Sequence, residues 1–375
     1  MSSNIRIASL NLFNFAMPPL AFHEFNNIYT QGQWQQKCDW IARWLQQAQP
    51  DLVGWQEVFS PEPLRELCQA AGLAHFALVD SPVIEGFVAR KSVVALASRF
   101  PIVSLAAVAL DAELAFSLGL KDEFQSSRQI LRATLMLPGI GHCDTYVVHF
   151  KSPRNKLPKG AVELQGAAGL LAESALGRWS AALQRGSEAM LLYQAILKRR
   201  RQSDNAVVLM GDFNAGIDSS ELKGLLVGAG QLYNGDIRAA GLHGLPDERL
   251  KLQLAHFQLL DAWQLWLEVS EQTGDQVTAT RPVTHFHGSQ GSVVDYLLLS
   301  QEFDARSQHS LAEVVDYRVY DKHLLRPQFE QDAQASIHQY WQKSVYAILD
   351  VALRWANQTA KSPKNARKSC RKLLW

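Results

Sequence analysis

Five short stretches of this chain end an apolar run on a side chain able to grip a cation or a phosphate. VLMGDFNAG, residues 208 to 216, carries Asp212 and Asn214 at the mouth of what reads as a buried strand. SLNLFNF places Asn11 after the first apolar segment, GWQEV supplies Glu57, VVHFKS supplies His149 and Lys151, and SVVDYLLLS sets Asp295 among apolar neighbours. Carboxylates and amides offer oxygen to hard cations, and His and Lys neutralise oxyanions, so the residue types suit phosphoester chemistry. Taken singly, each has a plain structural explanation: an Asn after a strand is commonly a turn residue, and a lone His a satisfied structural one. Asp295 resists that explanation, because an acid inside VVDYLLL must be partnered if buried, or else stand at the strand's mouth. In GDFN, Gly frees the backbone to approach a ligand, and Asp and Asn two apart on an extended chain share a side.

Layered α/β proteins hold such groups at strand ends, where the sheet fixes them and leaves them reachable. Apolar runs bounded by breakers predict strands at Ile5 to Leu10, Asp51 to Val58, Val93 to Ser98, Ile102 to Leu110, Ile130 to Leu137 and Cys143 to Phe150. Ala206 to Met210 and Val293 to Leu299 read as strands buried on both faces, with weaker candidates at Val314 to Tyr320 and Tyr346 to Leu353. Three- and four-residue spacing predicts helices at Gln33 to Gln47, closed by Pro50, and at Pro61 to Ala71. Residues 160 to 200 read as helix with breaks, rich in Ala and Leu and closing on KRRR at 198 to 201.

With 375 residues, 47% apolar and 19% charged, the chain has core enough for two average domains or one large sandwich. No repeat, linker or composition break precedes residue 354, so one domain over residues 1–353 is expected. Residues 354–375 hold seven Lys or Arg and no acid, which predicts a basic, flexible tail. Lys and Arg number 37 against 36 Asp and Glu, so any anionic ligand must be held locally. Cys38, Cys68, Cys143 and Cys370 form no CxxC pair, against a disulfide framework or a structural zinc site and in keeping with a reducing cytoplasm. No signal-peptide pattern and no run of 18 apolar residues is visible, and a cytoplasmic monomer is expected.

In this order, SLNLFNF, PDLVGWQEV, VALASRFPI, VVHFKS, VLMGDFN and VVDYLLLS resemble the endonuclease/exonuclease/phosphatase superfamily, the deoxyribonuclease-I-like fold, over roughly residues 4 to 353. The resemblance implies a four-layer α/β/β/α sandwich with two packed mixed sheets, and a phosphodiester hydrolase using magnesium, with manganese as the alternative. It implies Glu57 as metal ligand, with Asn11 in the metal site holding it or a metal-bound water. Asp212 would orient and deprotonate the attacking water, Asn214 would donate to the phosphate, and His149 and Lys151 would stabilise the oxyanion. Asp295 would orient a second His. That His belongs to a Ser-Asp-His before the last strand, which this chain lacks. ASIHQY offers His338 with Ile337 in the Asp position and is favoured; VYDKHLL offers His323; KSVYAILDVAL leaves Val345 and Tyr346 where Asp and His belong. THFHG puts His285 and His287 on one strand face, a metal-like spacing with no third ligand nearby.

The alternative is a family member that binds a phosphate-bearing ligand without cutting it. Among substrates, near-neutral charge argues against a long duplex, while KRRR and the basic tail argue for nucleic acid. A nuclease is preferred because no amphipathic membrane-binding stretch is evident.

Overall fold

The computed structural model describes residues 4–120, 124–153, 157, 162–163, 165–273, 280–287, 290–320, 345–346 and 348–355. The chain begins with β1 (Ile5–Phe15), β2 (Ala21–Phe22), α1 (Gln31–Ala48), β3 (Leu52–Val58), α2 (Pro61–Ala70), β4 (His75–Ala77), β5 (Val83–Glu85), β6 (Val88–Lys91), β7 (Val93–Ser98) and β8 (Ile102–Ala107). It continues with α3 (Ala112–Ser117), β9 (Leu131–Leu137), β10 (Gly141–His149), α4 (Gly166–Arg200), β11 (Ala206–Asp212), α5 (Asn234–Ala239), α6 (Asp247–Ala255), β12 (Leu260–Asp261) and α7 (Ala262–Thr273). It closes with β13 (His285–His287), β14 (Gln290–Ser292), β15 (Asp295–Leu299), β16 (Ala312–Tyr320), β17 (Val345–Tyr346) and β18 (Ile348–Trp355).

Two six-stranded mixed sheets form the centre, ordered β16-β18-β1-β3-β7-β4 and β12-β15-β11-β10-β9-β8. The two-residue alternation of strands sorts their side chains: Ile7, Leu52 and Leu96 meet Leu135, Val147 and Val208 between the sheets. Their neighbours Ala8, Val53 and Ala95 face outward under Trp34, Ile41 and Leu64 of α1 and α2. Val207, Leu209 and Tyr296 face outward under Leu192 and Ile196 of α4. The result is the expected four layers. With both faces covered, β11 is buried throughout, as its unbroken apolar run predicts.

Local chemistry sets the boundaries. α1 opens on a capping box in which the Thr30 hydroxyl accepts from Gln33 N–H at 3.2 Å and Gln33 accepts from Thr30 N–H at 2.9 Å. It ends at Gln49 in a left-handed conformation, one residue before Pro50. α4 is continuous, where breaks were expected: Gly inside a helix costs only about 1 kcal/mol, and a Cβ on Gly186 would lie 3.0 Å from Glu221 Cβ, so its smallness serves packing. β18 runs to Trp355 and pairs Arg354 with Glu313, two residues into the expected tail. Residues 356–375 lie outside the described residues.

Three of the KRRR side chains form ion pairs within the chain, of which that of Arg200 is buried. Lys198 pairs with Asp111, Arg199 with Asp144 at 2.8 Å, and Arg200 with Glu302 at 2.9 Å. Arg199 and Arg200 thereby tie α4 to the sheet it covers.

Candidate active site

β1, β3, β10 and β11 bring Asn11, Glu57, His149 and Asp212 together at one end of the sandwich. β1 lies parallel to β3, and β10 parallel to β11 with His149 opposite Asp212, so both pairs end in the same direction within their sheets. Asn11 joins the two sheets: its amide Nδ2 donates to Asp212 Oδ2 at 2.9 Å and to Glu57 Oε1 at 3.2 Å. Its Oδ1 accepts from Phe13 N–H at 2.9 Å. His149 Nε2 lies 3.6 Å from Asp212 Oδ2 and 4.0 Å from Glu57 Oε1. The Glu57 side chain is 16% exposed and that of Asp212 fully buried, so Glu57 is the one that faces solvent.

The backbone bends to make this geometry. Phe13, Asn14 and Glu57 adopt left-handed φ values of 48°, 59° and 60° where the β1 and β3 registers slip. Such conformations cost about 1 kcal/mol or more each in non-glycine residues and concentrate at functional sites. They turn Asn14 N–H onto Glu57 Oε2 at 2.8 Å. Gly211, φ 145°, serves a purpose other than ligand approach: a Cβ there would sit 2.0 Å from the Val148 carbonyl oxygen on the neighbouring strand. Nor do Asp212 and Asn214 share the side of an extended chain. Asn214 turns left-handed at φ 56°, its N–H donates to Asp212 Oδ1 at 2.8 Å, and its Nδ2 donates to the Phe150 carbonyl at 3.0 Å. Among the described residues, the second amide hydrogen of Asn214 meets no acceptor and stays available to one.

Asp295 is the first residue of β15 and stands opposite Asp212, so it is both at a strand's mouth and buried. Its N–H donates to the Thr284 hydroxyl at 3.1 Å, and neither carboxyl oxygen has a hydrogen-bond partner among the described residues. Burial, then the Asp212 charge, raises its pKa well above the ordinary carboxylate range. His338 and His323 both lie outside the described residues. Of the three candidate stretches, KSVYAILDVAL is the one that leads directly into the last strand: β18 pairs Leu349 with Ser9 of β1, and Val345 and Tyr346 form β17 beside β13.

Burial, followed by the charges of Arg128, Lys151 and His23, lowers the His149 pKa well below 6.5, so the ring is neutral at pH 7. Lys151 is pulled down by burial and by Arg128. Its backbone N–H donates to Glu188 of α4 at 2.9 Å and its carbonyl accepts from Arg185 at 2.8 Å.

Four contributors were missed in the sequence. His23 Nε2 meets Asn14 Oδ1 at 3.0 Å, and Arg128 adds positive charge beside His149, Lys151 and His23. Asn14 was visible three places after Asn11. Lys37 donates to the Phe13 carbonyl at 3.0 Å, bracing the bend after Asn11; its position three after Trp34 and four before Ile41, on the core face of α1, was the available signal. His285 meets Ser292 at 3.1 Å, and among the described residues no three His, Cys, Asp or Glu side chains converge as a metal cage.

A two-sheet sandwich with carboxylates, an amide and a His gathered at strand ends has the layout of a phosphoesterase fold. The sequence model of the Endonuclease/Exonuclease/phosphatase family matches residues 35–317, and the chain belongs to that family. Its fold is similar to that of the human Nocturnin catalytic domain, solved with a bound sulfate anion, at TM-score 0.50 and 15% identity over 94% of each chain. Similarity extends to the endonuclease/exonuclease/phosphatase from Beutenbergia cavernae, TM-score 0.44 and 16% identity over 94% of this chain and 72% of that one. It extends as well to truncated Caenorhabditis elegans TDP2, TM-score 0.47 and 10% identity over 94% of this chain and 98% of that one. No curated protein matches the chain. No helix among the described residues is long and apolar enough to cross a membrane.

Proposed function

We propose that this chain is a magnesium-dependent phosphodiester hydrolase. One observation carries the proposal: the Asn11 amide holds Glu57 and Asp212, which come from different sheets, against a buried neutral His149. The donor set fits magnesium, which binds hard oxygen through one or two carboxylates and keeps water and phosphate for its other positions. Glu57 would hold the ion, with Asn11 fixing that carboxylate; manganese fits the same donors. When bound, the ion supplies positive charge to the phosphate oxygens.

The chain's own groups do the rest. Asp212 orients the attacking water and takes its proton. Neutral His149 donates a hydrogen bond to the charge that grows on the phosphoryl oxygens, and Lys151 adds its own charge. The free hydrogen of the Asn214 amide positions the same phosphate.

Hydrolysis of bis-p-nitrophenyl phosphate, with magnesium and with chelator, tests this in wild type, Asp212→Asn and His149→Ala. Metal-dependent turnover lost in both variants is expected. Wild type no faster than Asp212→Asn on every phosphodiester would sink the proposal. A second possibility, a member that binds phosphate without cutting, is favoured by Val345 and Tyr346 standing before the last strand. Magnesium-dependent binding of a phosphodiester without turnover would select it.

A further inference from the structure

Beyond its last rung, the β9–β10 ladder meets an acid from α4. The two strands pair antiparallel out to Leu131 opposite Val147, and counting four residues onward from that rung sets Ser127 opposite Lys151. On a continued ladder the two segments would pair backbone to backbone. Instead both main-chain N–H groups donate to one side chain: Ser127 to Glu188 Oε1 at 2.6 Å and Lys151 to Glu188 Oε2 at 2.9 Å. The Glu188 carboxylate is a wedge between two segments that the ladder has let go.

The wedge is itself held. Glu188 is 1% exposed, and Gln184, one turn earlier, donates its amide to Glu188 Oε1 at 2.9 Å and to the Gln125 carbonyl at 2.9 Å. Three donors thus offset the cost of burying the carboxylate. Arg185 donates to the Lys151 carbonyl at 2.8 Å and to Glu221 Oε1 at 2.7 Å. Lys151 is therefore gripped at both its N–H and its carbonyl, and Glu221 ties in the segment that follows Asn214.

What the wedge spaces bears on the site. Arg128 follows Ser127, and after burial the charges of Arg128 and Lys151 act most strongly on His149. Glu57 and Asp212 lie against the same ring, at 4.0 and 3.6 Å, so a phosphate has to be met from Arg128 and Lys151. For an anion held there Glu188 has the wrong sign, since its charge opposes phosphate. Its place is explained by what it holds. Resting on the phosphodiesterase reading, we propose that Glu188 is a positioning residue, whose carboxylate sets the spacing of the Ser127–Arg128 and Lys151 segments so that both cations reach one phosphate.

The test sets position against charge. Glu188→Gln keeps the size and removes the negative charge, so a purely electrostatic role predicts tighter binding of inorganic phosphate. The wedge predicts weaker binding, because an amide offers one accepting oxygen to two N–H groups. In the full chain with magnesium, calorimetric affinity for inorganic phosphate should fall, and KM for bis-p-nitrophenyl phosphate rise, by about tenfold or more. The magnesium concentration for half-maximal turnover should stay at the wild-type value, since Asn11 and Glu57 belong to the other sheet. Gln184→Ala, which removes the wedge's support, should shift KM the same way by less; should Glu188→Gln not fold, an unchanged KM in Gln184→Ala overturns the proposal. In an Arg128→Ala, Lys151→Ala background, Glu188→Gln should add nothing to KM, and a full further loss there also overturns it, as does phosphate binding that is tighter or unchanged in folded Glu188→Gln. A wild type that binds phosphate and cuts no phosphodiester refutes hydrolysis and leaves the wedge to be decided by phosphate affinity. One that cuts, with KM unmoved in both variants, refutes the wedge and keeps hydrolysis; one that does neither refutes both.

Discussion

Asp212 and Asp295 stand directly opposite each other where β11 and β15 pair, two acids on one rung of the sheet. Both are fully buried. Residues opposite each other across strands share a face, so each carboxyl raises the cost of charging the other.

Asp295→Asn tests that pairing. Because the folded-state pKa of Asp295 lies above its ordinary value of 3.8, the folded chain keeps a proton that the unfolded chain has released. Stability from this group is complete below 3.8 and drains as pH rises toward the folded-state pKa. The Asn variant lacks the loss, so it gains on wild type as pH climbs above 3.8. Urea unfolding across that range reads the difference. Parallel curves would mean that Asp295 is ionised throughout, against a cation. If Asp295 orients a base, the same variant loses about 100-fold or more in turnover.

Asn11→Ala removes the amide that bridges Glu57 and Asp212 and leaves two carboxylates without their shared donor. Stability should drop by about 1–3 kcal/mol, and turnover by about 100-fold or more. Asn11→Asp, which puts a third acid beside them, should fare worse. Thermal unfolding and phosphodiester hydrolysis check both, and an active, stable Asn11→Ala would contradict the bridging role.

Gly211→Ala is predicted to be severe for a steric reason. A Cβ placed 2.0 Å from the Val148 carbonyl must force β10 and β11 apart. A loss above about 4 kcal/mol is expected, seen as insoluble expression or a sharply lower unfolding midpoint.

Lys37 gives the fold a pH dependence that a variant can isolate. Burial lowers its pKa from 10.5 to about 7, partly offset by Glu57. The unfolded chain therefore binds the extra proton between those values, and the penalty is full below about 7 and fades as pH rises to 10.5. In Lys37→Met, stability should rise less steeply over that window, by up to about one proton's worth of slope. Equal slopes in guanidinium titrations would show that Lys37 titrates elsewhere.

Much of the architecture was written in local pattern. Two-residue alternation and unbroken apolar runs located the main strands, and Pro50 bounded α1, because breakers and strand faces depend on neighbours along the chain. Asn11, Glu57, His149, Asp212 and Asp295 were visible as candidates, since each interrupts or ends an apolar run, whereas His23, Asn14, Lys37 and Arg128 gave no such signal. Tertiary structure decided what they do to one another. That Asn11 clamps two carboxylates, that Asp295 faces Asp212, and that Lys198, Arg199 and Arg200 pair within the chain all depend on partners distant in sequence.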